Sequence, residues 1–329
     1  MLEHGGNLDI ASQKYNIKQL DWIDLSTGIN PNGWPVPGSL PAKVWSHLPI
    51  ENDGLVEAAQ AYYDCDDLLA VAGSQAAIQA LPRLRKHSRV GILTPAYAEH
   101  SHAWRQAGHT VIELDSSAID VALPELDVLV IINPNNPTAQ LFSPSQLLSW
   151  HSLLAQHGGW LIVDEAFMDC TPEYSLIDKQ PQQGLIILRS IGKFFGLAGL
   201  RVGFVFATPN LLSQLAELLG PWPVAQVSRY LTQLALSDTK WQDQQRQILP
   251  QSSQRLNTLL TRSNLPPEGN CVLFQWVCTN QAEKWHEQLA QQGIFTRLFT
   301  APLSLRFGLP NSEQEWQRLT QALEKISLP

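Results

Sequence analysis

The chain has 329 residues, of which 44% are hydrophobic, enough apolar side chain for one large or two ordinary buried cores. Its 22 Lys and Arg against 30 Asp and Glu leave a net charge of -8, the opposite of a nucleic-acid-binding footprint, so any anionic ligand must be held by local groups. Cys65, Cys170, Cys271 and Cys278 form no C-x-x-C pair or zinc spacing, no apolar run approaches the roughly 20 residues of a membrane helix, and the N-terminus lacks a charged-then-apolar signal segment; a reduced, cytoplasmic protein without a metal or a membrane is expected.

Residues 1–50 are rich in Gly, Pro and Asn, above all STGINPNGWPVPGSLP (26–41), and read as an irregular arm that joins a smaller domain. Six short apolar runs follow: 68–73, 89–95, 126–134, 159–166, 184–190 and 201–207. Their apolarity is continuous rather than alternating, which predicts strands buried on both faces. Helical patterns lie between them over 74–87, 98–108 and 143–158, the last opened by Ser143 as N-cap with Pro144 behind it. The βαβα order predicts an α/β domain over 51–238, a mainly parallel sheet with helices on both faces. Beyond Asp238 a polar helical stretch interrupted by Pro250 and one strand, CVLFQWVC (271–278), predict a small α+β domain over 239–329.

Ligands of open parallel sheets bind beyond the carboxyl ends of the strands, so the polar residues closing these runs are the candidates. Lys193, in SIGKFFGLAGLRVG, has the most apolar setting of the nine lysines; desolvation there favours the nucleophilic amine, whereas an ordinary loop lysine would snorkel to solvent. Asp164 ends WLIVD as a carboxylate for a ring nitrogen, or else caps the next helix. Asn136, in INPNNPT, offers an amide to a ring hydroxyl or simply closes a turn. Gly73, Ser74 and Gln75 open a helix whose first N–H groups suit a phosphate, and Ser190 and Arg201 can add donors, unless Arg201 is a surface ion-pair residue. Tyr97, in TPAYAEH, can stack on a flat ring or pack at a rim.

Taken in order, AGSQ, TPAY, NPNNPT, VDEAF, RSIGK and GLAGLRVG resemble the class I/II aminotransferase superfamily of pyridoxal 5'-phosphate (PLP) enzymes over roughly residues 50 to 310. The resemblance implies the PLP-dependent transferase fold of type I. It also implies Lys193 as the covalent anchor of the cofactor, with Asp164 at the pyridine nitrogen, Asn136 at the ring hydroxyl and Tyr97 on the ring face. Gly73, Ser74, Gln75, Ser190 and Arg201 would hold the cofactor phosphate. Within the superfamily, HGGN (4–7) and DLSTGINPNGWP (24–35) look like the threonine-phosphate decarboxylase family of cobalamin biosynthesis, close kin of the histidinol-phosphate aminotransferases. That kinship implies a phosphorylated amino acid substrate met by Gly5, Gly6, Asn7, Arg297 and Arg306, with Arg306 at the α-carboxylate, and a homodimer with active sites at the subunit boundary.

Three positions depart from the superfamily pattern. Phe167 stands where a Tyr is usual, as in the decarboxylase subgroup; Gly192 stands where relatives often carry Ser or Thr; and an aromatic expected from a partner subunit falls near Leu48. The same residues would serve a histidinol-phosphate aminotransferase using a 2-oxo acid, and a non-catalytic assembly partner in the corrinoid pathway is the alternative from a different class.

Overall fold

A computed structural model describes residues 4–327 of the chain. Contacts gather it into two units, one made of the residues up to Asn32, Pro137–Gln140 and those from Asp243 on, the other of Gly33–Asn136 and Leu141–Gln242.

The second unit is built on seven strands: β1 (Leu68–Val71), β2 (Arg89–Leu93), β3 (Thr110–Leu114), β4 (Val128–Ile132), β5 (Trp160–Asp164), β6 (Leu185–Ser190) and β7 (Gly203–Phe206), in the order β1-β7-β6-β5-β4-β2-β3. Strands β2 to β6 pair in parallel, and β7 runs antiparallel to both β1 and β6. Six strands therefore end at one edge of the sheet. β4 and β5 are buried along their whole length, which is why they read as unbroken apolar runs. β3 is an addition to the six expected strands: it is an edge strand, and the Thr and Glu of its TVIEL break the continuous apolarity that marks the others.

One face of the sheet presents Val71, Val90, Val130, Ile162, Leu188 and Val205 to Ile78, Trp104, Leu212 and Leu215 from the helices Ser74–Ala80, Glu99–Gln106 and Pro209–Leu219. The helix Pro144–Ala155 packs against β5 and buries Leu147, Trp150 and Leu154. It begins as expected, with Ser143 Oγ accepting the Gln146 N–H at 3.3 Å, a cap that stabilises by about 1 kcal/mol. Gly203 opens β7 so close to the neighbouring chain that a Cβ there would stand 2.6 Å from Ser74 N and 2.7 Å from Arg189 O. Glycine is what lets the first strand-helix turn and the end of β6 meet.

In the first unit, β8 (Gly269–Cys271), β9 (Phe274–Cys278), β10 (Arg297–Thr300) and β11 (Leu303–Gly308) form an antiparallel sheet in the order β10-β11-β9-β8. The run 271–278 is thus not one strand but most of a hairpin turning at Val272 and Leu273; apolarity alone does not mark the turn. Pro250 does not interrupt the helix Thr239–Arg262, because it lies on the exposed side where water takes the carbonyl left without a partner. Nor is the start of the chain wholly irregular. The helix Leu8–Tyr15 seats Ala11 against Trp22 and Ala290, and Ile23–Asp24 pairs in parallel with Ile294–Phe295. Both pieces are too short to show a periodicity of their own. Among the described residues no helix is long and apolar enough to cross a membrane, and the four cysteines are free thiols.

Candidate active site

All residues expected to meet a cofactor lie in the second unit, and most sit where its strands end or its helices begin. Asp164, the last residue of β5, is 3% exposed. Its Oδ1 accepts the Ala166 N–H at 3.1 Å, a local turn bond. Its Oδ2 stands 2.9 Å from Nε2 of the buried His100, whose ring N–H donates to the carboxylate. Burial keeps the carboxylate from water, and the imidazole holds its orientation.

Lys193 follows β6 in a turn closed by the Gly196 N–H on the Lys193 carbonyl, just ahead of Phe194 and Phe195, whose rings are fully buried. Its Nζ lies 5.3 Å from the centre of the Phe167 ring, so the departure at 167 keeps an aromatic ring near the amine and removes only the hydroxyl a Tyr would carry. Gly192 is also explained: a Cβ there would lie 3.1 Å from Ala198 Cα and 3.4 Å from Ser190 Oγ, so the turn is tight for a Ser or Thr. Ser190 Oγ accepts the Gly192 N–H at 3.3 Å.

Gly73, at φ +73°, leads into the Ser74–Ala80 helix, and the Arg201 guanidinium packs on it: a Cβ at 73 would stand 2.8 Å from Nη2. Arg201 also donates through Nη1 to the Ala198 carbonyl at 3.4 Å, so it belongs to this turn. Guanidinium and helix N-terminus together favour one anion. The Gln75 side chain is engaged elsewhere, donating to Glu99 Oε2 at 2.7 Å and accepting from the Tyr97 hydroxyl at 3.3 Å, so its contribution to an anion is its backbone N–H. Burial, with Glu99 and Asp164 nearby, pushes the Tyr97 phenol up to about 12, so the hydroxyl keeps its proton. The 132–138 loop is pinned by side chains of its asparagines. Asn133 exchanges two hydrogen bonds with the Phe142 backbone, and Asn135 donates to the Pro95 carbonyl at 2.9 Å. Asn136 ends that braced segment, half-buried.

The residues expected to meet substrate lie in the first unit. Arg297 and Arg306 are directly opposite each other on β10 and β11. Two like charges in that register repel unless an anion meets them. Burial and Arg297 lower the Arg306 pKa to about 10; its guanidinium lies 5.3 Å from the Phe274 ring centre and donates to the Ser26 carbonyl. Ser26 in turn receives the Gly6 N–H on its Oγ at 2.7 Å, and a Cβ on Gly5 would fall 2.3 Å from the Ser26 oxygen. Gly5, Gly6 and Arg306 thus converge on one serine. Asn7 is exposed, donates to the His4 carbonyl at 3.2 Å, and stands at the start of the Leu8–Tyr15 helix.

Sequence reasoning missed His100 and Ser26. His100 had a signal in its i+3 spacing from Tyr97, which places both on one side of the helix start; Ser26 had none beyond lying in DLSTG. The cofactor set fits PLP. It offers an amine for the aldehyde, a buried carboxylate for the pyridine nitrogen, an amide and a phenol for the ring, and a glycine turn that a guanidinium already covers, with no room for a side chain at 73.

Comparison with known proteins supports this reading. Residues 51–326 match the model of the family described as aminotransferase class I and II. The chain is 52% identical over 323 residues to a threonine-phosphate decarboxylase of Pseudomonas aeruginosa, covering 98% of this chain and 97% of that one. It is 37% identical to a threonine-phosphate decarboxylase of Sinorhizobium sp, covering 99% and 98%. The fold resembles the histidinol-phosphate aminotransferase of Sinorhizobium meliloti solved in complex with pyridoxal-5'-phosphate, with a TM-score of 0.87 at 19% identity over 99% of this chain and 95% of that one. With the fold, the lysine turn and the family model in agreement, the chain belongs to the class I and II aminotransferase family.

Proposed function

We propose that this protein is a PLP-dependent threonine-phosphate decarboxylase, converting O-phospho-L-threonine into 1-aminopropan-2-ol phosphate and CO2 for cobalamin biosynthesis. The observation that carries this is the pairing of Arg297 with Arg306 and the tie from Arg306 through Ser26 to the Gly5–Gly6 turn. Such a set suits a substrate with two anionic groups. O-phospho-L-threonine has a carboxylate and a phosphate; histidinol phosphate has only the phosphate, and the aminotransferase would meet two anionic groups only on its 2-oxo acid partner. The 52% identity to the Pseudomonas aeruginosa decarboxylase supports the same choice.

PLP supplies an electron sink for the pair left at Cα when the carboxylate departs. Lys193 anchors the cofactor and delivers the proton that replaces CO2 at Cα. Asp164, steadied by His100, keeps a proton on the pyridine nitrogen, Asn136 meets the ring hydroxyl and Tyr97 the ring face. Gly73, Ser74, Gln75, Ser190 and Arg201 hold the cofactor phosphate. Arg306 takes the α-carboxylate, and Arg297 with Gly5, Gly6 and Asn7 takes the substrate phosphate. By fixing both anions, these groups select which bond at Cα is held for cleavage.

Incubating the PLP-loaded protein with O-phospho-L-threonine and no 2-oxo acid should release CO2 in excess over enzyme, with the amine product detected by mass spectrometry. No CO2 from a protein with bound cofactor would overturn the assignment. Glutamate formed from 2-oxoglutarate and histidinol phosphate would then establish the aminotransferase.

The protein acts as a homodimer in this reading. Trp45 is 67% exposed and Leu48 64%, Ile50 and Trp222 are also exposed, and the last two line a groove of about 560 Å³. Large apolar side chains gathered in this way suit a second copy. Sedimentation should give twice the 36.6 kDa chain mass, and Trp45→Arg with Leu48→Arg should shift it toward one chain. A single-chain mass for the wild type would refute the dimer.

A further inference from the structure

We propose that Ser26 is a positioning residue for phosphate discrimination, holding the glycine turn that takes the substrate phosphate against the arginine that takes its carboxylate; this rests on the roles assigned above. Ser26 is fully buried, and each of its polar groups is committed. Its Oγ accepts the Gly6 N–H at 2.7 Å and donates to Asp24 Oδ1 at 2.6 Å. Its own N–H donates to the same carboxylate oxygen at 2.9 Å, and its carbonyl accepts from Arg306 Nη2.

These contacts leave the serine little freedom. Asp24 fixes the hydroxyl from one side, so the lone pair offered to Gly6 has one direction. Asp24 itself is fixed in turn, because Ile23–Asp24 pairs with Ile294–Phe295 and the Leu25 N–H donates to the Phe295 carbonyl. The carbonyl is wedged between Gly5, where any Cβ would collide with it, and the Arg306 guanidinium. A carbonyl on one Nη limits rotation of the guanidinium plane and so sets which edge faces a carboxylate. Gly6 takes φ +84°, a backbone conformation that few other residues adopt, and its bond to Ser26 fixes where its N–H points. A phosphate that orders the glycine turn therefore presses on the same residue that orients Arg306. A substrate without phosphate leaves that turn unengaged.

The role predicts a loss that depends on the phosphate. Ser26→Ala keeps the carbonyl for Arg306 and removes the hydroxyl beneath Gly6. In the PLP-loaded protein, affinity for O-phospho-L-threonine by calorimetry should fall about five- to tenfold, the effect of losing one part-buried hydrogen bond to the Gly6 N–H, while affinity for L-threonine stays within about twofold. Ser26→Cys, which keeps the volume and the carbonyl for Arg306 but offers Gly6 only a weak sulfur acceptor, should reproduce the same selective loss if Ser26→Ala folds poorly. Equal loss for both ligands, or loss for neither, would overturn the role, since a general packing defect does not distinguish them. CO2 release is measured in parallel. Wild type that binds O-phospho-L-threonine without releasing CO2 defeats the decarboxylase assignment alone and leaves Ser26 judged on the affinity ratio; wild type that does not bind it overturns both.

Discussion

Replacing Lys193 with alanine should lower kcat for O-phospho-L-threonine by at least about 10⁴-fold, the upper range for a positioned proton-transfer group, since the same side chain also anchors the cofactor. The expectation follows from where the lysine stands. The turn after β6 is held by the Gly196 N–H on the Lys193 carbonyl, and buried Phe194 and Phe195 fix the backbone on its far side. The Trp34 N–H adds a bond to the Phe195 carbonyl at 2.8 Å, and the Trp241 ring stacks on Phe195 at 5.5 Å. A turn braced in this way tolerates loss of one side chain, so Lys193→Ala should fold and still bind PLP without a covalent link. Borohydride reduction and peptide mass spectrometry give the independent readout. The cofactor mass should appear on the Lys193 peptide of the wild type and on no peptide of the variant. A variant that retains the adduct, or turns over within about tenfold of wild type, a far smaller loss than proton-transfer catalysis accounts for, would remove Lys193 from the chemistry.

Much of this site was legible because buried parallel strands are continuous in apolarity and their ends are punctuated by polar residues. Asp164 at the end of β5, Ser190 at the end of β6 and Gly73 just beyond β1 were found by that rule, without knowledge of the strand order. The parts that stayed hidden depend on pairing across the chain. Whether His100 meets Asp164 is decided by how the Glu99–Gln106 helix seats on the sheet, and a periodicity does not carry that information. The opposition of Arg297 and Arg306 depends on antiparallel register, and a slip of one residue would turn one guanidinium to the other face. β3 was lost for a different reason: an edge strand has no need of apolar residues on both sides.

The largest effect on stability should come from Arg189, which lies outside the set proposed to hold cofactor and substrate. It is 2% exposed, and its charge is shared by two carboxylates buried with it: Nε lies 3.1 Å from Glu165 Oε2, and Nη1 donates to Asp169 Oδ1 at 3.0 Å. Nη2 donates to Ser175 Oγ, which itself donates to Glu165 at 2.6 Å, while the Leu176 N–H donates to Glu165 Oε1 and the Tyr62 hydroxyl to Asp169 Oδ1. Arg189→Met fills much of the volume yet leaves Glu165 and Asp169 without their cation, and breaking a buried pair in this way costs about 3–5 kcal/mol. Chemical denaturation should show it as a lower midpoint at unchanged slope. Glu165→Gln should cost less, because Arg189 keeps Asp169. The cluster also bears on the site through the chain itself, as Glu165 follows Asp164 and Arg189 precedes Ser190. Loosening it frees the ends of β5 and β6 together, so Arg189→Met should weaken PLP binding even under conditions where it remains folded. A loss under about 1 kcal/mol, far below the cost of an uncompensated buried charge, would mean that water or a shifted side chain replaces the guanidinium and that these strand ends are held by their ladder bonds alone.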